Sequence, residues 1–268
     1  MPNGSNISKP RISPQRVLRG GLSLLELLVV LTILIALGGI VVSTLPGMLK
    51  RTQVATAASN IPEINATIRR NAMLSQGEIG NRFDAMITGS ASLDGSVPLY
   101  VGGAEFFTAT TLTEIEIEAL REVGVTELIP ALAETDNATF TSHDQPPIAV
   151  GSDSKVCAIA TDVATELFRE GWNFEPVEGA KYLVFGIGEQ CSMVGSGAKA
   201  AFSEAPMHFS DDRAQSPEEM YSRYLILVEL KTTSESKAVA RYVGAAIPGS
   251  TGIHNVSKEL ENYYTDQN

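Results

Sequence analysis

The chain has 268 residues and a formal net charge of −11, from 20 Lys and Arg against 31 Asp and Glu. This acidity argues against a nucleic-acid-binding body, because phosphate contacts are built from clustered Lys and Arg. Hydrophobic residues make up 44% of the chain, which is too apolar for a disordered protein, and two cysteines exclude a disulfide-dense scaffold or a four-cysteine zinc site.

The N-terminal region has a basic segment followed by an apolar one. Residues 1–21 contain basic side chains and no acid, and residues 22–45 form an apolar run in which Glu26 is the only charged residue. About two dozen residues make a helix of about 36 Å, so the run predicts a membrane-spanning segment with a cytoplasmic N-terminus. A cleaved secretory signal and an uncleaved signal anchor are the alternatives. Neither explains Glu26, since a carboxylate in a spanning segment is unfavourable and is therefore expected to be functional.

The residues around Glu26 resemble a family signature. The sequence RGG (19–21) followed by LSLLELLVV (22–30) is similar to the N-terminus of type IV pilins and type II secretion pseudopilins. This resemblance implies that a prepilin peptidase cuts after Gly21 on the cytoplasmic side. It also implies that Leu22 becomes a methylated N-terminus and that Glu26 is the glutamate found fifth in the mature chains of the family.

The resemblance gives Glu26 a role in assembly. Cleavage would expose an ammonium group on Leu22, about 6 Å along the helix axis from Glu26. When subunits stack with an axial offset, Glu26 of one can pair with the amine of the next, and this pairing is strong in a low dielectric. The family usually has Phe and Thr where this chain has Leu22 and Ser23.

The resemblance also implies a set of partners. These are copies of the chain itself or other pilins and pseudopilins, the prepilin peptidase, an inner-membrane assembly platform, and membrane lipid around the helix before assembly. No nucleic acid and no cofactor are expected.

The helix is expected to continue beyond the apolar run. Gly38 and Gly39 each weaken helix formation by about 1 kcal/mol relative to Ala, and Pro46 removes a helical hydrogen bond, so these residues are the predicted points of flexibility. One alternative is a helix that ends at Pro46. Beyond Pro46, however, apolar residues recur at helical spacing: Val54, Ala58, Ile61, Ile64, Ile68 and Ala72.

The predicted fold is α+β, with a long N-terminal α-helical spine packed on a globular head that contains an antiparallel β-sheet. The leader is expected at 1–21, the N-terminal helix at 22–76 and a periplasmic or extracellular head at 77–268. Within the helix, residues 22–45 are the predicted transmembrane half and filament core, and residues 46–76 are the amphipathic half.

Short elements are predicted within the head. The sequence TEIE (113–116) is a capping box ahead of a helix that ends near Gly124. The segment 85–180 is longer than in the simplest pilins and is either an elaborated connection or an added lobe. Further predicted elements are a helix at 162–170, a buried strand at 181–187, a strand pair at 223–231 and 237–245, and a terminal helix at about 255–264.

Other candidate sites are less specific. Cys157 and Cys191 would lie outside the cytoplasm, where disulfides persist, so one bridge is predicted, with two separate buried thiols as the alternative. Asp211 and Asp212 are calcium candidates, but their surroundings match no EF-hand and favour a solvated acidic loop. The triplet Gly-Ile-Gly (186–188) lacks the third glycine of a dinucleotide loop, and no motif predicts a catalytic centre.

We therefore expect a prepilin-like structural subunit and not an enzyme. It would be cleaved after Gly21 and polymerised through its N-terminal helix into a type IV pilus or a type II secretion pseudopilus. The expected location is the bacterial inner membrane, with a single pass and a periplasmic head, and then a periplasmic or extracellular filament. The alternative is a signal-anchored periplasmic enzyme or ligand-binding domain that is not assembled, and a minor pilin would share the same N-terminus.

Overall fold

A computed structural model describes the residues 23–98, 106–131, 145–160, 174–197, 200–207, 221, 223–234, 237–249 and 252–254. The chain divides into two units, Met1–Gly47 and Met48–Asn268. Helix α1 (Leu24–Leu74) has 51 residues, of which the first part belongs to one unit and the rest to the other. Gly38, Gly39 and Pro46 are all helical residues of α1.

The prediction of a long spine whose apolar half spans a membrane is contradicted. Within the described residues, no helix combines the length and the apolar character that crossing a bilayer requires. The single-pass inner-membrane location that was expected from this segment is contradicted for the same reason.

The second unit is built on a β-sheet, and its described residues contain one further helix, α2 (Glu114–Glu122). The described strands are β1 (Phe83–Thr88), β2 (Phe107–Thr111), β3 (Glu127–Ala131), β4 (Ile148–Ala149), β5 (Lys155–Ile159), β6 (Ala180–Gly186), β7 (Leu225–Ser234), β8 (Lys237–Gly249) and β9 (Gly252–His254). Their order is β4-β3-β1-β6-β7-β8-β9, and β5 joins β2 to β6.

The prediction of an antiparallel sheet is wrong, because the sheet is mixed. Strands β1 and β3 pair in parallel, with Phe83 opposite Leu128, whereas the other strand pairs of the described residues are antiparallel. A parallel pair needs a long crossover connection. Here the connection from β1 to β3 contains β2 and α2. It falls within the segment 85–180, which was expected to be either an elaborated connection or an added lobe.

Several local predictions are confirmed. Helix α2 begins after Thr113 with the expected capping box, in which the Thr113 N–H donates to Oε2 of Glu116 at 2.8 Å. The predicted strand at 181–187 is β6, and the predicted strand pair is the antiparallel hairpin of β7 and β8. The helices predicted at 162–170 and 255–264 lie outside the described residues.

The second part of α1 packs on the sheet through its apolar face. Ile61, Ile64 and Ile68 are buried at the spacing that the periodicity predicted. Asn65, on the same part of the helix, accepts hydrogen bonds from the Tyr242 hydroxyl at 2.6 Å and from the Ala245 N–H at 2.9 Å. These bonds attach residues 48–74 to β8 within the second unit.

Candidate functional site

The first part of α1 presents an apolar surface to solvent. From Leu24 to Leu37, its large apolar side chains are between 44% and 84% exposed. We call these residues the apolar surface of α1: Leu24, Leu25, Leu27, Leu28, Val29, Val30, Leu31, Ile33, Leu34, Ile35 and Leu37. At 100° per residue they point in every direction around the helix, and a helix that is apolar all round is normally enclosed by other elements.

The helix starts with a second capping box, formed by Ser23 and Glu26. The Ser23 N–H donates to Oε2 of Glu26 at 2.9 Å, and the Glu26 N–H donates to Oγ of Ser23 at 3.2 Å. The Leu27 N–H closes the first turn on the Ser23 carbonyl at 3.1 Å. Glu26 therefore stands in the first turn, where the helix dipole favours a negative charge. The predicted cleavage site after Gly21 and the expected new terminus at Leu22 lie outside the described residues.

Two glycines interrupt the apolar surface near its described end. An added Cβ at Gly38 or Gly39 would meet no atom within 4 Å among the described residues. The packing of the single chain therefore gives no reason for glycine at these positions. Glycine does allow the backbone of another element to approach closely.

A second group of polar residues is buried inside the head. Asp84, on β1, is 1% exposed, and Oδ2 of its carboxylate accepts a hydrogen bond of 2.7 Å from the hydroxyl of Tyr221. Burial and the neighbouring carboxylate raise the pKa of Tyr221 well above its usual value, although Arg223 acts in the opposite direction. The hydroxyl therefore stays protonated and remains a donor. We call Asp84 and Tyr221 the buried pair.

The Gly-Ile-Gly triplet makes room for the buried pair. A Cβ on Gly186 would lie 1.6 Å from the Tyr221 hydroxyl oxygen, and a Cβ on Gly188 would lie 2.1 Å from Oδ1 of Asp84. Both distances are far inside van der Waals contact, so neither position accepts a larger residue without displacement. The triplet is a strand end and a turn, as predicted, and the reason for its glycines is steric.

An ion pair and a thiol lie beside the buried pair. Nη2 of Arg223 contacts Oε1 of Glu189 at 2.7 Å. Burial raises the pKa of Cys191 to about 12, against a smaller opposing effect of the hydrogen bond with the Met193 backbone, and the Asp84 carboxylate adds slightly to the increase. Acid–base or nucleophilic chemistry near pH 7 needs groups that reach a substrate and titrate near that pH. Tyr221 and Cys191 meet neither condition, so the arrangement is suited to stabilising the sheet.

The structure does not contain the predicted disulfide. Cys157 and Cys191 are both free and buried. Cys157 lies on β5 opposite Ala109 of β2, whereas Cys191 lies in the turn that follows β6. Burial also raises the pKa of Cys157. An oxidising compartment preserves a bridge that has formed, but it does not bring two separate sulfurs together.

The calcium candidates Asp211 and Asp212 lie outside the described residues. Across the part of the chain that the structure describes, no three His, Cys, Asp or Glu side chains come together as metal ligands do. The carboxylate of Glu116 is instead paired with Lys181 of β6, with Nζ at 2.8 Å from Oε1.

Sequence reasoning missed three residues of these sites. The pattern Ser23-x-x-Glu26 is a capping box that precedes an apolar run, and it is visible in the sequence. Asp84 is also conspicuous as the only charged residue of the strand FDAMIT. Tyr221 carries no comparable pattern, because its partner lies 137 residues away in the chain.

Comparisons with protein-family models, with curated proteins and with solved structures gave no match. The resemblance at residues 19–30 therefore rests on its own residues. The apolar surface of α1 and the box at its start are the features from which a function is inferred.

Proposed function

We propose that the protein is a prepilin-like structural subunit. Cleavage after Gly21 frees Leu22, and the chain then polymerises through its N-terminal helix into a type IV pilus or a type II secretion pseudopilus. The observation that carries the proposal is the apolar surface of α1, which directly follows the processing motif and is exposed on every side.

The apolar surface supplies a driving force for assembly. Complete burial of a Leu, Val or Ile side chain is worth about 1.5–3 kcal/mol relative to full exposure. A single partner helix covers only one side of α1, so the remaining faces would stay in water. Several copies arranged around one another would enclose all faces, which supports a filament core of packed helices over a dimer.

The charge of Glu26 supports a defined register within such a core. It is the only charged side chain between residues 22 and 45. Among packed apolar helices, an unpaired carboxylate is strongly unfavourable, and pairing with an amine removes much of that cost. The amine of Leu22 on a neighbouring copy is the partner that the proposed cleavage supplies, and only one axial offset joins the two groups.

The test replaces Glu26 in cells that carry a prepilin peptidase and a filament assembly system. Glu26→Ala should leave leader cleavage intact and abolish the incorporation of the subunit into sheared filaments. Glu63→Ala is the matched control, because Glu63 is an exposed carboxylate on the same helix within the second unit. Normal filament yield from Glu26→Ala would contradict the proposal.

Intact mass of the wild-type chain tests the processing step. The purified subunit should begin at Leu22 and carry one added methyl group. A chain that still begins at Met1 in peptidase-containing cells would show that residues 19–21 are not a processing site. The filament proposal would then lose the amine with which Glu26 is expected to pair.

A further inference from the structure

We infer that the exposed end of α1 is an interaction surface, which binds the acidic face of α2 on a second copy of the chain. The inference rests on the proposed function and deepens it, because it names the surfaces through which the second units of neighbouring subunits touch. The exposed end of α1 is Arg69, Arg70, Met73 and Leu74, and the acidic face of α2 is Glu114, Glu118 and Glu122.

The exposed end of α1 combines apolar and basic side chains. Met73 is 84% and Leu74 is 79% exposed, whereas no other large apolar side chain described in the second unit is more than 43% exposed. At 100° per residue, Arg70, Met73 and Leu74 point away from the side of the helix that buries Ile64 and Ile68. Neither arginine forms an ion pair within the part of the chain that the structure describes. In the single chain these side chains therefore remain in solvent.

Three glutamates share one side of α2. Glu114, Glu118 and Glu122 are exposed and lie four residues apart, so successive carboxylates are neighbours on the helix, where like charges are destabilising. Among the described residues none of them forms an ion pair. The nearby Arg121 does not offset them, because its Nη2 donates to the Val150 carbonyl at 3.2 Å. A cationic surface on another molecule would relieve this repulsion.

The two surfaces are complementary in charge and in apolar character. Arg69 and Arg70 supply positive charge to the carboxylates of α2. Ile115, which is only partly buried and lies three residues before Glu118, offers an apolar contact for Met73. A surface that matches a different surface of the same chain points to a second copy as its partner.

A contact between two different surfaces of identical chains also has the geometry of a filament. Each copy offers the exposed end of α1 to one neighbour and the acidic face of α2 to another. Such head-to-tail contacts build an open helical filament when the rotation between copies does not close a ring.

The contact is expected to be weak between two free subunits. A stable interface uses about 20–30 residues on each side, and these surfaces have far fewer. In a filament the packed N-terminal helices hold neighbouring copies together, which raises the effective concentration of one surface around the other. The two surfaces therefore act within the assembly.

A charge swap tests the pairing in cells that carry a prepilin peptidase and a filament assembly system. Arg70→Glu and Glu118→Arg should each give about ten-fold fewer sheared filaments, because each places like charges across the contact. The chain that carries both changes should assemble close to the wild-type level, since opposite charges then face each other again. Lys237→Glu and Glu178→Arg, at exposed residues elsewhere in the second unit, are the matched controls and should assemble normally.

Cysteine pairing across the contact gives a second measurement, which does not depend on loss of assembly. In filaments assembled from a mixture of Met73→Cys and Glu118→Cys chains, a mild oxidant should join the two variants in a disulfide-linked dimer. Neither variant alone should form this dimer, because the new cysteine would then have no partner across the contact and Cys157 and Cys191 are buried.

The two proposals fail in different ways. If the double charge variant does not recover, or if the mixed filaments form no dimer, the contact between α1 and α2 is wrong. If Arg70→Glu assembles normally and Glu26→Ala does not, the contact is again wrong and the filament proposal stands. If Glu26→Ala assembles normally, the filament proposal is wrong and the inference falls with it.

Discussion

The hydroxyl of Tyr221 donates a hydrogen bond of 2.7 Å to Oδ2 of Asp84, and both side chains are almost completely buried. Asp84 lies on β1, next to β6 in the sheet, and Tyr221 lies close before β7. The bond therefore connects Tyr221, which precedes the C-terminal hairpin, with a strand in the middle of the sheet. Because both side chains are buried, water cannot replace this bond when one partner is removed.

We predict that Tyr221→Phe destabilises the protein by about 1–3 kcal/mol, the range for removing the hydrogen-bond partner of a buried polar group. Tyr242→Phe provides the comparison, because its hydroxyl donates to the neutral amide oxygen of Asn65 and should be worth about 0.5–1.5 kcal/mol. Urea unfolding of both variants measures the difference. Equal losses would show that the deeper burial of Asp84 adds nothing to the bond.

Gly188 gives a steric test of the same site. A methyl group there would lie 2.1 Å from Oδ1 of Asp84, so Gly188→Ala should destabilise the protein by about 1–3 kcal/mol or more. Gly151→Ala is the matched control, since a Cβ at Gly151 meets nothing within 4 Å. Its free energy of unfolding should stay within about 0.5 kcal/mol of the wild type.

A second variant, Asp84→Ala, tests whether the steric clash at position 188 involves the Asp84 carboxylate. In Asp84→Ala the oxygen that the methyl group would meet is removed, so adding Gly188→Ala should cost less than it does in the wild type. If the cost is the same in both backgrounds, Gly188 is required for a reason other than the buried pair.

The elements that could be predicted are those set by neighbours in sequence. The capping box of α2 needs only Thr113 and Glu116, three residues apart, and the face of α1 on the sheet follows from the spacing of Ile61, Ile64 and Ile68. The hairpin of β7 and β8 follows from two apolar runs around a short polar stretch. In each case the interaction that forms the element lies within a few residues.

The features that could not be predicted depend on residues far apart in the sequence or on the surroundings of the chain. Strands β1 and β3 pair in parallel, and the connection between them shows no clear hydrophobic periodicity. The buried pair joins residues that are 137 apart. The membrane span was predicted from a count of apolar residues, and the described part of the helix does not meet that criterion. The capping box of Ser23 and Glu26 is different, because its two residues lie three apart and the pattern is local.

Thiol titration provides a third prediction. Because both cysteines are free and buried, neither should react with a water-soluble thiol reagent at pH 8 in the native protein. The raised pKa of Cys191, about 12, adds to this protection by keeping the thiol protonated. After unfolding in guanidinium chloride without reductant, both Cys157 and Cys191 should react.

The control is the same unfolding with reductant present, followed by its removal. The number of reactive thiols should not change. If thiols appear only after reduction, Cys157 and Cys191 form the disulfide that was first expected, and their arrangement in the structure is wrong.

The pair formed by Glu116 and Lys181 predicts a pH dependence of stability. Burial alone would raise the pKa of Glu116, but the hydrogen bond from Lys181, the Thr113 N–H and the charge of Lys181 outweigh it, and the pKa lies below its ordinary value of 4.5. A carboxyl whose pKa is lowered by folding stabilises the native state above pH 4.5. That contribution is lost as the pH falls through the native pKa.

We therefore expect the free energy of unfolding of the wild type to fall more steeply below pH 4.5 than that of Glu116→Gln, which cannot ionise. Urea unfolding at a series of pH values measures both slopes. In Lys181→Met the free energy of unfolding should also fall less steeply below pH 4.5, because the variant lacks the group that lowers the pKa of Glu116. Lys237→Met, at an exposed lysine of β8, controls for the loss of one positive charge. If Glu116→Gln and Lys181→Met both keep the slope of the wild type, the acid sensitivity of the fold arises at other carboxylates.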